Sequence, residues 1–352
     1  MTTVLYIVVA ILIFGLLIMI HEFGHFIVAR RCGVRVEEFS IGMGPKLYQR
    51  TTKKTGMLFS VRALPIGGYV SMMGEEEDED SPDSFSRKPV WQRMAIIVAG
   101  ATMNLLLGFL IVLIIVFYAK GMYSTTIKDF AKGATSNAEG GLVEGDTILK
   151  IGNVPVHTAE EVVYEIGNQA TKPVRVTIRR NGEKLVLENV SFPTYQESGV
   201  IFGDRDFNFL VVEHPGFGDY IRAAFFRSCS MVKMVWDSLW NLITGKYSAD
   251  ALSGPIGVTA AVKNTIAESH WDPSGVFVYV MTITALITIN LGVFNLIPFP
   301  ALDGGRFFFL LIEAITRKRI PQSIESKINF AGMAALMLLM LFVACKDVIN
   351  LF

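Results

Sequence analysis

His21-Glu22-Phe23-Gly24-His25 has residue types and spacing suited to bond-breaking chemistry. Positions i and i+4 share one face of a helix, so two imidazoles can grip one metal ion with Glu22 beside them. Zinc hydrolases use this pattern: the imidazoles are ligands, and the carboxylate takes a proton from the attacking water. The setting sharpens the reading. Residues Val4 to Ile20 are almost entirely apolar, and a charged group at membrane depth costs roughly 2.5–3.5 kcal/mol, so such groups point to function. The chain has five histidines, which makes a chance pair around a Glu at this spacing a poor explanation. Nor does the span read as a secretory signal. It has no basic leading region or small-residue cleavage site, and its apolar pattern continues to Ala29.

A zinc hydrolase needs a third protein ligand and an open fourth position. Asp303 closes a membrane span within Asn295-Leu296-Ile297-Pro298-Phe299-Pro300-Ala301-Leu302-Asp303-Gly304-Gly305. The two prolines break the helix, so backbone groups and Asp303 can face a cavity instead of lipid. Asp-Gly-Gly alone reads as a turn at a membrane exit. Paired with the first-span motif, Asp303 reads as the third ligand.

The elements that must position these groups are membrane helices. The chain is 51% hydrophobic over 352 residues with zero formal net charge, which points to several spans and away from nucleic acid. Cys32, Cys229 and Cys345 are too few and too scattered for a disulfide framework or a cysteine zinc site. Four stretches are long and apolar enough to cross the bilayer: Val4 to about Ala29, the stretch between Arg93 and Lys120 with Asn104 its main polar residue, the stretch between Asp272 and Asp303, and about Asn329 to Cys345. Eleven Lys/Arg lie from Arg30 to Arg93, and Arg306, Arg317, Lys318, Arg319 and Lys327 lie between spans three and four. The positive-inside rule puts both loops in the cytoplasm, with the termini and the region after span two outside. The acidic run Glu75–Asp80 reads as a solvated linker.

Between Tyr123 and about Glu213 the composition turns globular. Gly141-Leu142-Val143-Glu144-Gly145-Asp146-Thr147-Ile148 leads into an apolar strand and a Gly152-Asn153 turn; Val174–Arg180 and Lys184–Val190 alternate as a hairpin across Asn181-Gly182. This segment resembles a PDZ domain, a fold that binds peptides by adding a strand to a sheet edge. It lacks a Gly-Leu-Gly-Phe carboxylate loop, and a domain that gates by bulk alone is the competing reading. Tyr220 to Ile243 is amphipathic, which suits a helix lying in the membrane surface or packing on the catalytic helices.

Taken together, the HExxH span, the PDZ-like segment and the Asn-x-x-Pro-x-Pro-x-Leu-Asp-Gly-Gly motif resemble the site-2 protease family of intramembrane zinc metalloproteases, most of all its bacterial envelope-stress branch. The resemblance covers most of the chain. It implies zinc held by His21, His25 and Asp303, with Glu22 as general base and acid, and Asn295 on substrate backbone or the developing oxyanion. Phe39-Ser40-Ile41-Gly42-Met43-Gly44-Pro45 and Leu64-Pro65-Ile66-Gly67-Gly68-Tyr69-Val70 look like the family's membrane-dipping β-rich segment, which makes Gly42, Gly44, Gly67 and Gly68 candidate substrate contacts. An ordinary cytoplasmic hairpin is the plainer reading. Ser253-Gly254-Pro255-Ile256-Gly257 matches a further family motif. Many members of the branch carry two PDZ domains, whereas this chain has room for one.

The expected fold is therefore a polytopic α-helical membrane protein of about four transmembrane helices, with an inserted β-rich PDZ domain and a membrane-associated β-hairpin region. Its expected parts are 1–120, the membrane catalytic part; 121–213, the PDZ domain; 214–270, the amphipathic helix and connector; and 271–352, the third and fourth spans. The expected activity is zinc-dependent cleavage of a transmembrane segment in a single-span, pre-trimmed substrate such as an anti-sigma factor. The expected place is the bacterial inner membrane, with the site towards the cytoplasm, membrane lipid as surroundings and no nucleic acid partner. A different zinc hydrolase, a membrane adaptor with structural metal and a cation transporter are the alternatives. Finding three ligands instead of four favours catalysis over structural zinc.

Overall fold

A computed structural model describes residues 2–53, 55–75, 79–118, 122–197, 200–245 and 273–349. Among these residues, four helices are long and apolar enough to cross a membrane: α1 (Thr2–Arg31), α2 (Val90–Tyr118), α5 (Pro273–Leu296) and α7 (Gln322–Ile349). The third span is shorter than its apolar composition implies. Helix α5 stops at Leu296, and a separate helix α6 (Asp303–Thr316) follows. Pro298 and Pro300 have no N–H to continue the ladder, and Ala301 adopts a left-handed φ of 75°. Asp303 therefore opens a helix instead of closing a span.

The described residues pack as two bodies, 2–108 with 283–349 and 109–245 with 273–282. In the first, β1 (Val36–Thr51) and β2 (Leu58–Met72) form a long hairpin of irregular register. Ile41 pairs with both Gly68 and Val61, so the first half of β1 lies between two stretches of β2. The bend in β2 sits on α1: a Cβ on Gly15 would meet the Pro65 carbonyl oxygen at 2.3 Å, and Ile18 lies beside Gly67. Ala29, Val34, Val36, Met72, Ile96, Ile97 and Leu310 form a shared core, tying the hairpin base to α1, α2 and α6.

Glu75 corrects the linker reading of the acidic run, because Arg306 of α6 holds its carboxylate. Residues 76–78 and the Ser253–Gly257 motif lie outside the described residues.

In the second body, a sheet in the order β10-β3-β4-β6-β7 comprises Phe207–Val212, Met122–Phe130, Thr147–Ile151, Val174–Arg180 and Glu183–Val190, with β5 (Val154–Pro155) paired to β4. The two-residue turns fall at Gly152-Asn153 and Asn181-Gly182. Asn181 and Gly182 both take positive φ, as the tightest hairpin turns require. Strands β8 (Thr194–Glu197) and β9 (Val200–Gly203) form a separate hairpin. Helix α3 (Ala159–Gln169) starts with a capping box between Thr158 and Glu161. It buries Val162 and Ile166 among Leu142, Ile148, Ile151, Val176 and Ile178, each such side chain worth about 1.5–3 kcal/mol. Asp146 is fully buried; it accepts the Arg180 guanidinium at 2.8 Å and the Val143 amide at 2.9 Å. Helix α4 (Phe217–Ile243) packs on α3.

Candidate metal centre

Helix α1 carries His21 and His25 one turn apart on its buried face. The break after α5 lets α6 begin at Asp303, and the chain brings that carboxylate 282 positions back to the first helix. The Nε2 of His21 lies 2.9 Å from Asp303 Oδ2, the Nε2 of His25 lies 3.2 Å from the same oxygen, and the two nitrogens are 3.1 Å apart.

This triangle fits a small cation. Tetrahedral zinc with bonds of 2.0–2.1 Å spaces its ligands by about 3.3 Å. Two imidazole lone pairs facing each other at 3.1 Å need a proton or a cation between them. Glu22 is half-buried on the same turn and feels the charges of His25, His21 and Asp303.

The outer nitrogens are held as well. His25 Nδ1 donates to the Ile96 carbonyl at 2.8 Å, which leaves its Nε2 lone pair for a metal. His21 Nδ1 faces the carboxamide of Asn104 at 3.2 Å. Asn104 is fully buried on α2 and its Oδ1 has no hydrogen-bond partner among the described residues. An Asn side chain reads the same when turned over. Turned over, Oδ1 accepts from His21 Nδ1–H, the tautomer a metal on Nε2 demands. The Thr288 hydroxyl donates to the Asn104 backbone carbonyl, fixing this stretch of α2 against α5.

Gly100, one turn before Asn104, makes the approach possible. A Cβ there would stand 2.4 Å from His25 Nε2 and 2.6 Å from His21 Nε2. Gly24 does the same from the other side, where a Cβ would meet the Ala99 carbonyl oxygen at 2.4 Å. Any side chain at these points would push α2 off the nitrogens.

Helix α6 is held from two directions. Arg93 of α2 grips Glu313 with both guanidinium nitrogens, at 3.1 and 2.5 Å, and both side chains are largely buried. Arg306, one turn after Asp303, binds Glu75 and faces Glu325 at 3.7 Å. A Cβ on Gly305 would strike the Phe299 carbonyl oxygen at 2.4 Å, so the start of α6 folds tightly under the proline loop.

The remaining candidates are more dispersed. Asn295 is half-buried in the last turn of α5, and its side chain hydrogen-bonds none of the described residues. Gly42, Gly44 and Gly67 take left-handed φ values of 83°, 85° and 75° at the bends of the hairpin. A Cβ on Gly68 would meet the Ser40 carbonyl oxygen at 2.6 Å, so Gly68 marks close strand contact. Sequence reasoning noticed Asn104 without a role and missed Gly100. The available signal was the spacing of Gly100, Asn104 and Gly108, which puts two gaps and one carboxamide on a single face of an apolar helix.

Comparison with known proteins adds independent weight. The family model described as peptidase family M50 matches residues 9–339. A zinc metalloprotease candidate of Clostridium acetobutylicum is 37% identical over 343 residues, covering 97% of each chain. The regulator of sigma-W protease RasP of Bacillus subtilis is 28% identical over 426 positions, covering 97% of this chain and 98% of that one. The zinc metalloprotease RasP of Shouchella clausii is 29% identical over 429 positions, with the same coverage. The Bacillus alignment exceeds this chain of 352 residues by 74 positions, so at least that many have no counterpart here. The chain belongs to peptidase family M50, the site-2 proteases, and is a zinc-dependent metalloprotease of the membrane.

Proposed function

We propose that this chain cleaves a transmembrane segment of a single-span, pre-trimmed membrane protein such as an anti-sigma factor. His21, His25 and Asp303 hold zinc in this reading, and the observation that carries it is their convergence to within 3.2 Å from opposite ends of the sequence. Bound zinc supplies Lewis acidity, polarising a peptide carbonyl and bringing the pKa of water down to about 7.

Glu22 takes the proton from the attacking water and delivers it to the leaving amine. Asn295 donates to the oxyanion or steadies substrate backbone. The Gly42–Gly44 and Gly67–Gly68 bends let the hairpin present an edge to an unwound substrate. A helical substrate hides its peptide bonds, so it must be extended before water can reach them. Contact between β2 and α1 just before His21 favours that use of the hairpin.

The sheet and α3 form a PDZ domain outside the membrane, and the basic loops lie in the cytoplasm. RasP of Bacillus subtilis carries sigma-W regulation in its name, which favours an anti-sigma substrate class.

Cleavage of a trimmed single-span substrate in detergent tests the reading. Wild type should cut and a zinc chelator should stop it. Glu22→Gln should lower the rate at least ~10²–10⁴-fold while keeping its metal. Equal activity of Glu22→Gln and wild type would end this assignment.

A further inference from the structure

Helix α4 has two faces, and one of them is left open. Its inner face buries Ala224, Met231 and Val235. Around them, Arg227 pairs with Glu160 at 3.5 Å, Lys233 pairs with Glu165, and the Tyr164 hydroxyl donates to Asp237 at 3.0 Å. The outer face carries Phe217, Ile221, Phe225, Trp236, Trp240 and Ile243. At 100° per residue these six fall within about 140° of arc, a single stripe. Phe217, Trp240 and Ile243 are 69%, 66% and 77% exposed. Four exposed aromatic rings and two isoleucines on a single stripe call for a partner.

The ends of two spans say which partner. The Phe117 ring, in the last turn of α2, lies 4.4 Å from Tyr220 and 6.0 Å from Phe217. Next to it, Tyr118 lies 4.9 Å from Phe277 in the first turns of α5. Helices α2 and α5 are membrane helices, so these aromatic rings mark where hydrocarbon gives way to headgroups. Helix α4 starts at that rim, and its outer stripe continues the aromatic belt. Tryptophan suits this depth because its ring is apolar while its indole N–H can reach water.

We propose that the outer face of α4 is a bilayer-binding surface, with Trp236 and Trp240 seated among headgroups and upper acyl chains. The opposite face holds α3, so the same helix fixes the sheet domain against the membrane. Anchored in this way, the domain cannot swing freely in solution. The inference rests on the membrane placement of α2 and α5 and is independent of the cleavage reading; the Glu22→Gln protein serves equally well for its test.

The full chain carrying Trp91→Phe and Trp271→Phe keeps only Trp236 and Trp240 as emitters. It is reconstituted into vesicles whose lipids are brominated near the headgroup end or near the methyl end of the acyl chains. The shallow bromines should remove roughly half or more of the emission and the deep ones much less, as expected for a helix seated at the headgroup–acyl boundary. Aqueous iodide should quench only weakly. Strong iodide quenching without bromine quenching would place the stripe in water and overturn the proposal. Protection from both quenchers would place it against protein, and would also overturn it. A nitroxide on Ile243→Cys, with every tryptophan retained, checks the same point. Its collisions with oxygen should exceed those with a water-soluble nickel chelate; the reverse order would sink the idea.

Discussion

A ligating imidazole offers one nitrogen lone pair, and its proton must then sit on the other nitrogen. His25 meets this condition through the Ile96 carbonyl, a backbone group that no substitution of Ile96 removes. His21 meets it through Asn104, a side chain that can be removed. Asn104→Ala is therefore expected to weaken zinc binding about 10–100-fold while the protein stays folded. Competition with a metal-sensitive dye reads this directly, and unchanged affinity would show that His21 needs no such partner. Gly100→Ala is harsher, because the new methyl would stand within 2.6 Å of both Nε2 atoms. The expected result is loss of bound zinc in a protein that still reaches the membrane. Full metal content would mean that α2 can retreat without disturbing the proposed ligands.

Elements hold these residues at the right distance, and two charge clusters outside the proposed ligand set help to hold the elements. The Arg93–Glu313 pair is largely buried and doubly bonded, so removing one partner strands a charge at a cost of about 3–5 kcal/mol. Arg93→Met should lower the thermal midpoint and the retention of zinc, since α6 carries Asp303. Arg93→Met with Glu313→Met should recover part of the stability; no recovery would show that the pair does more than cancel its own charges. In the hairpin, burial raises the Glu38 carboxyl, but hydrogen bonds from Ser60, Arg62, Tyr69 and Lys46 outweigh it and hold the pKa at about 2, below the ordinary 4.5. A depressed carboxyl stabilises the fold above its unfolded pKa and loses that effect as pH falls through its folded value. Glu38→Gln should therefore unfold at a lower temperature than wild type at pH 7. The difference should shrink as pH falls from about 4.5 towards 2, and a constant difference would assign the loss to packing.

At the scale of the whole molecule, the features legible in the sequence were those written in short-range pattern. The His-x-x-x-His spacing, the four apolar runs and the Asn181-Gly182 hairpin each depend on a few neighbouring residues. Helix α6 escaped because its start lies behind two prolines, inside an apolar run that reads as one span. Arg93 and Glu313 escaped for a different reason: they are 220 positions apart, and nothing local marks either as a partner. Orientation is another global property, and charge counting alone proposes it. Eleven basic residues lie from Arg30 to Arg93, and the sheet domain follows the next span, so the proposed orientation puts the two on opposite sides of the membrane. Lys53 and Lys184 are both exposed and report one side each. With Cys32, Cys229 and Cys345 changed to Ser, a membrane-impermeant maleimide should label Lys184→Cys in intact spheroplasts. Lys53→Cys should react only after the membrane is opened. Labelling of Lys53→Cys alone would invert the topology, and with it the side from which a trimmed substrate arrives.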